Sequence, residues 1–263
     1  YNTAVGSEAL KRNTTADNNT AVGYYSLYSN TTGVNNTALG SGALENSTTG
    51  NHHVAVGQDA LTTNTTGVNN TALGSLSLKL NTTGGYNLAA GKRALESNTT
   101  ASFNTGLGTD SLRLNTTGTR NTAVGYQSLH QNTTASDNSS LGYQTLGSNT
   151  TGTKNVAIGT FALNANQTGN ANTAIGYNAL LSNTTSFNVG IGNGALKLNT
   201  TGSSNIAIGA GALDDNTTGV GNVGIGVNTL GGNTTASNNT GVGHNALLNN
   251  TTGANNTAVG YKF

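Results

Sequence analysis

Four histidines, nine carboxylates and a crowd of Asn-Thr pairs are the side chains of this 263-residue chain that chemistry would use. His52 and His53 are adjacent, and an adjacent pair can offer two imidazoles to a metal. No further His or acidic residue stands at ligand spacing, so the pair reads as a surface substitution at a loop, and no metal site is assigned. His130 and His244 stand alone. Asp214-Asp215 and Asp59 lack partner carboxylates at a set spacing, and nothing resembles a Gly-rich calcium-binding nonapeptide array. Ser and Thr abound, but no His-Asp constellation activates any of them. Gly190-Ile191-Gly192 and Gly224-Ile225-Gly226 have phosphate-loop spacing but lack the helix that must follow. The expectation is a chain with no catalytic residue and no cofactor.

The Asn-Thr pairs carry a stronger signal. Asn-x-Ser/Thr is the acceptor of N-linked sugar. It occurs at Asn13, Asn30, Asn46, Asn64, Asn81, Asn98, Asn115, Asn132, Asn149, Asn166, Asn183, Asn199, Asn216, Asn233 and Asn250. Further copies arise at Asn18, Asn35, Asn69, Asn238 and Asn255. The same residues have a second explanation: Asn-Thr-Thr-Gly is good corner chemistry, because Asn bonds its own backbone and Gly tolerates left-handed geometry. Both readings stay open at this point; an intact mass equal to the bare polypeptide would exclude sugar.

These motifs recur because the whole chain is one repeat. Gly6, Gly23, Gly40 and so on to Gly260 each follow an apolar residue, every 17 residues, except that Gly176 to Gly192 is 16. A fixed short period over the whole length is the mark of a solenoid. With this Gly numbered zero, the residue before it is apolar in every copy, and Leu stands four after it in every complete copy. These two columns, with Val124, Leu141, Ile158, Ile175, Ile191 and Ile208 in one and Leu129, Leu146, Leu163, Leu180, Leu196 and Leu213 in the other, are expected to be the core ladders. The run Asn-Thr-Ala-Val-Gly is too short for a helix and reads as a strand, with Val inward. The residue before Val is Ala, Gly or Ser throughout, and this smallness is read as close packing, a neighbouring chain being favoured. A second short strand is expected around the Ala-Leu pair, and stacked Asn and Thr are expected to bond from coil to coil.

Composition agrees. Only 33% of residues are hydrophobic and 7% charged, yet the apolar ones keep fixed places, which disorder would not maintain. All nineteen charges fall at six offsets (plus one, two, five, six, eleven and twelve), marking these as solvent-facing corners. The 16-residue gap is a deletion in a loop, at Asn183-Thr184-Thr185-Ser186-Phe187-Asn188. A net charge of +1 without a basic stripe gives no nucleic-acid partner. No apolar run of membrane length appears, so no membrane insertion is expected. Zero Cys excludes disulfides and thiolate metal sites. The expected fold is all-β: a parallel β-solenoid of about fifteen 17-residue coils without helices, about 70–75 Å long at roughly 4.8 Å per coil. Residues 1–263 are read as a single continuous array, cut from a longer chain without caps.

Asn172-Thr173-Ala174-Ile175-Gly176-Tyr177-Asn178-Ala179 and Asn155-Val156-Ala157-Ile158-Gly159-Thr160-Phe161-Ala162 resemble the Ala-Ile-Gly-x-x-Ala core of trimeric autotransporter adhesin head repeats. The resemblance implies a left-handed parallel β-roll with three chains side by side. It covers essentially the whole chain, but that family's coil is shorter, and the Leu and Asn-Thr-Thr-Gly segment is additional here. The longer unit also resembles arrays in phage tail-fibre-like and large bacterial surface proteins. The functional expectation is an extracellular or cell-surface structural rod, fibre or filament (or a virion fibre), with copies of itself as partners in a side-by-side trimer or end-to-end filament. The alternative is a carbohydrate- or surface-binding module that uses the variable corners, where Tyr24, Tyr25, Tyr28, Tyr126, Tyr143, Tyr177 and Tyr261 fall. Ice binding by a flat Thr ladder comes third, because adjacent Thr residues on a strand point to opposite faces.

Overall fold

A computed structural model describes residues 1–262, all of them strand, turn or loop. The chain is a parallel β-solenoid whose coils form two compact units, Tyr1–Thr134 and the residues from Ala135 onward. In the first unit the strands are β1 (Thr3–Val5), β2 (Thr20–Val22), β3 (Thr37–Leu39), β4 (Val54–Val56), β5 (Thr71–Leu73), β6 (Leu88–Ala90), β7 (Thr105–Leu107) and β8 (Thr122–Val124). In the second they are β9 (Ser139–Leu141), β10 (Val156–Ile158), β11 (Thr173–Ile175), β12 (Val189–Ile191), β13 (Ile206–Ile208), β14 (Val223–Ile225), β15 (Thr240–Val242) and β16 (Thr257–Val259). Within each unit consecutive strands pair parallel and in register, so Ala21 meets Ala38 and Ile158 meets Ile175. The shortened coil keeps this register, with Ile175 opposite Ile191.

Each three-residue strand turns its middle residue inward. Ala21, Ala38, Ala123, Ala157 and Ala174 are fully buried. Opposite them lies the Leu column, and Leu27 to Leu213 are its largest buried side chains. The smallness of the middle residue follows from this contact. A Cβ built on Gly190 would meet Leu180 Cγ and the Ala195 carbonyl oxygen at 3.1 Å, so nothing much larger than Ala fits. Among the described residues the large apolar part of the core is this Leu column, one side chain per coil, flanked by Ala and Gly.

The second strand expected at Ala-Leu is a turn instead. Both residues are buried, and consecutive strand residues cannot face the same way. Left-handed backbone resolves the conflict: the Leu column sits at φ between 48 and 54°, as Leu112 and Leu61 illustrate. A left-handed Leu costs about 1–2 kcal/mol, which the ~1.5–3 kcal/mol contributed by its burial offsets. Its amide is also satisfied across the stack, since Leu27 N–H donates to the Ala43 carbonyl at 2.9 Å. The zero Gly has no alternative. Gly23 has φ of +133°, and a Cβ there would lie 2.6 Å from the Gly40 carbonyl oxygen of the next coil.

The far wall of each coil is closed by amides. Asn30 and Asn19 both donate Nδ2–H to the Gly33 carbonyl at 2.9 Å, pinning the corner from two sides. Asn19 Oδ1 then accepts the Asn36 backbone N–H at 2.9 Å. Corner Asn side chains also bond along the stack, Asn81 to Asn64 and Asn98 to Asn81 at 2.8 Å each. In the shortened coil the Thr185 carbonyl takes the Gly role, accepting from Asn172 at 2.7 Å and Asn183 at 2.8 Å. Buried polar groups are costly when unpaired, so these ladders offset most of the cost of burying so many amides in a chain poor in hydrophobic residues.

Candidate functional site

The flanking residues of every strand point outward, and here the structure corrects the expected core. Val124, Ile175 and Ile191 are half-exposed, while Leu141, Ile158 and Ile208 are exposed, at 48%, 39% and 38%. These six stack in register within their unit but on the outer face; only the Leu129, Leu146, Leu163, Leu180, Leu196 and Leu213 column is core. The small column likewise meets the chain's own Leu side chains, so it is not the surface for a neighbouring chain. What each unit presents outward is a two-column sheet face free of charge.

The two faces differ in chemistry. In the first unit the leading column is mostly Thr (Thr20, Thr37, Thr71, Thr105, Thr122) beside Val and Leu. In the second, Val156, Val189, Ile206 and Val223 stand beside Ile158, Ile191, Ile208 and Ile225, so four strands are β-branched and apolar on both outward positions. Eight strands spaced ~4.8 Å, each ~10 Å long over three residues, give roughly 400 Å² per face. Twelve of the sixteen outward positions are apolar in the second unit and ten in the first. The apolar part of the second face, roughly 300 Å², therefore reaches the lower end of the range where such a patch is often functional.

Charges occupy the turns, but not all are solvated. Asp110 is buried at 4% exposure. Arg93 Nη2 donates to its Oδ2 at 3.1 Å, and Arg113 Nε lies 4.0 Å from its Oδ1 while donating to Glu96 Oε2 at 2.9 Å. Residues of the same offset thus pair one coil apart, which is how a carboxylate can be buried there. Aromatic corner residues stack in the same way: Tyr86 on Phe103, and His244 on Tyr261, each at 5.3 Å.

The two adjacent histidines part company. His52 is exposed, whereas His53 is fully buried in an Asn column. Its Nδ1 accepts the Asn70 backbone N–H at 3.2 Å, and Nε2 lies 2.7 Å from the Gly67 carbonyl. The Nε2–H tautomer therefore copies the acceptor and donor of the Asn it replaces. Burial lowers its pKa from the usual 6.5 to about 4, despite the two backbone hydrogen bonds. Both ring nitrogens are committed, and among the described residues no three His, Asp or Glu gather to hold a metal ion. No helix of the described residues is long and apolar enough to cross a membrane.

The acceptor asparagines also divide by burial. Asn30, Asn64, Asn81, Asn98, Asn115, Asn132, Asn149, Asn166, Asn183, Asn199, Asn216 and Asn233 are fully buried. In the ladder both Nδ2 hydrogens are engaged, as at Asn115, which donates to Asn98 Oδ1 and the Gly118 carbonyl at 3.0 Å each. A sugar on such a nitrogen would displace one bond and finds no room in the folded coil. Asn46 is exposed and Asn13 and Asn250 half-exposed; Asn18, Asn35, Asn69, Asn238 and Asn255 are all exposed. The reachable acceptors are thus mainly the Asn-Asn-Thr set. Compared with models of protein families, with curated proteins and with solved structures, the chain matches none.

Proposed function

We propose that the chain is a segment of an extracellular or cell-surface structural fibre, whose outward sheet faces pack against further copies of the same chain. The observation that carries this reading is the charge-free, in-register pair of outward columns, most apolar at β10 and β12–β14. A regular sheet face repeats at one spacing only, and another copy of the chain offers that same spacing along its whole face. Bulky apolar side chains left in water on successive coils gain from such contact, at about 25 cal/mol per Å² covered. Uniform coils, stacked Asn ladders and the absence of an activated nucleophile in the sequence support spacing and display over catalysis. Many weak contacts along one face also sum to strong attachment.

Sedimentation velocity tests the proposal. The intact chain, 26.3 kDa, is expected to sediment as a multiple of itself at micromolar concentration. The double variant Ile206→Lys, Ile208→Lys should sediment as one chain with an unchanged circular dichroism spectrum. An intact chain that stays single up to the highest soluble concentration would refute the packing role.

A further inference from the structure

The geometry points to a binding notch for a neutral saccharide in the first unit, floored by Gly42 and walled by Tyr24, Tyr25, Glu45 and Asp59. This inference is independent of self-packing through the sheet faces, because the notch opens on the turns. It arises from a missing side chain. The position two after the zero Gly forms a column along the stack, and in three successive coils it reads Tyr25, Gly42, Asp59. All three are left-handed, at φ of 55, 68 and 52°, so their side chains leave the coils at equivalent places. Gly in the middle leaves a gap one coil wide. A Cβ there would lie 2.6 Å from Asp59 Oδ1 and 3.6 Å from Glu45 Oε2, so both carboxylates lean into the vacated space. The resulting cavity is about 340 Å³ and also takes in Ser41.

The walls select the ligand. Tyr24 is 57% exposed and offers a free ring face, while its ring contacts Tyr25 at 4.4 Å and 62°. Tyr25 is held in turn by Tyr28 at 4.7 Å, whose ring is covered by the Arg12 guanidinium. A sugar presents C–H groups on one face and hydroxyl donors at its rim. Stacked on Tyr24, those hydroxyls would meet the Glu45 and Asp59 carboxylates as acceptors, the stronger kind of hydrogen bond. Acidic sugars and phosphates are disfavoured by the two carboxylates. An organic cation is disfavoured because the two rings touch, leaving no slot between them, and Lys79 Nζ already lies 3.8 Å from Asp59. The second unit has glycines at the same offset, Gly194 and Gly211. Tyr177 stands beside Gly194 as Tyr24 stands beside Gly42, but Lys197 takes the place of Glu45 and Gly211 that of Asp59, so the carboxylate wall is missing. Gly211 is flanked by Gly194 and Asn228, with no aromatic residue.

Saturation-transfer NMR on the intact chain tests this, with methyl β-D-glucopyranoside and methyl β-D-galactopyranoside as neutral probes and n-butylammonium as the cationic one. A neutral glycoside is expected to bind in the millimolar range, with transfer strongest at ring C–H protons. Tyr24→Ala and Glu45→Gln should each weaken binding about tenfold, equal to ~1.4 kcal/mol. Gly42→Ala should abolish it by filling the notch, whereas Gly211→Ala, with the same backbone strain in the other unit, should leave it intact. Absence of transfer to both glycosides would overturn the inference, as would binding unchanged in Tyr24→Ala and Glu45→Gln. Tighter binding of butylammonium than of either glycoside would also overturn it.

Discussion

The leading outward column is Thr in six of the eight strands of the first unit, whereas in the second it is Val or Ile in four strands and Ser or Thr in the other four; the second unit also varies its inward column more. Both are built from the same 17-residue coil, yet the inward column is Ala in seven of the eight strands β1–β8, whereas β9, β12, β14 and β15 carry Ser140, Gly190, Gly224 and Gly241. The change is compensated locally. Thr229, like Thr145, stands where the remaining coils have Ala or Ser three after the zero Gly, and a Cβ on Gly241 would lie 2.7 Å from the Thr229 Cγ2. Ser140 is matched by Thr145, whose carbonyl accepts the Ser140 hydroxyl at 3.0 Å. The inward column therefore stays small, the methyl missing at Gly241 being met by a neighbouring Thr, while the outer face drifts between polar and apolar. The chemistry of the outer face can thus change between the units while the coil and its register are kept.

The scaffold should fail alike in both units. Gly23→Ala and Gly192→Ala place a Cβ 2.6 and 2.5 Å from the next coil's carbonyl oxygen. Each is expected to cost upward of ~3 kcal/mol and to raise hydrogen exchange locally, in its own unit. Leu61→Ala and Leu163→Ala come next, at about 2–5 kcal/mol each by urea unfolding. A loss below ~1 kcal/mol in one unit only would show that the two cores are not equivalent.

Acid should separate the units. His53 has no counterpart in the second unit, where the Asn columns are unbroken. Its folded pKa, about 4, is below the unfolded value near 6.5, so the unfolded chain binds the extra proton between these limits. Stability is therefore fully present above pH ~6.5 and is lost as pH falls through 4, by up to ~3 kcal/mol for this one group. Hydrogen exchange at pH 4.5 against pH 7 should show the coils around His53 loosening first, and His53→Asn should remove the difference.

Much of this architecture is legible before any coordinates. The period, the obligate Gly, the buried Leu column and the corner role of Asn-Thr-Thr-Gly all follow from the spacing. The inward and outward faces of the strand do not, because alternation separates two faces without saying which is inside. The clue lay in variance. The residue before the zero Gly ranges from Ala90 to Leu107 to Ile158, and the residue two positions earlier ranges from Ser139 to Ile206. A close-packed interior tolerates no such range, whereas the middle column never exceeds Ala or Ser. His53 was hidden for another reason: only the hydrogen-bond geometry shows that an imidazole can stand in for a ladder Asn. The notch at Gly42 depends on three residues 17 apart, which become neighbours only once the stacking register is known.

The inside-out assignment of the strand is the claim on which the rest depends, and the absence of native cysteine makes it directly measurable. Ala157→Cys and Ile158→Cys, treated with a maleimide under native conditions, should label at very different rates. The account predicts prompt modification at position 158 and protection at 157 that is lost only on unfolding. Prompt labelling at 157 with protection at 158 would contradict it.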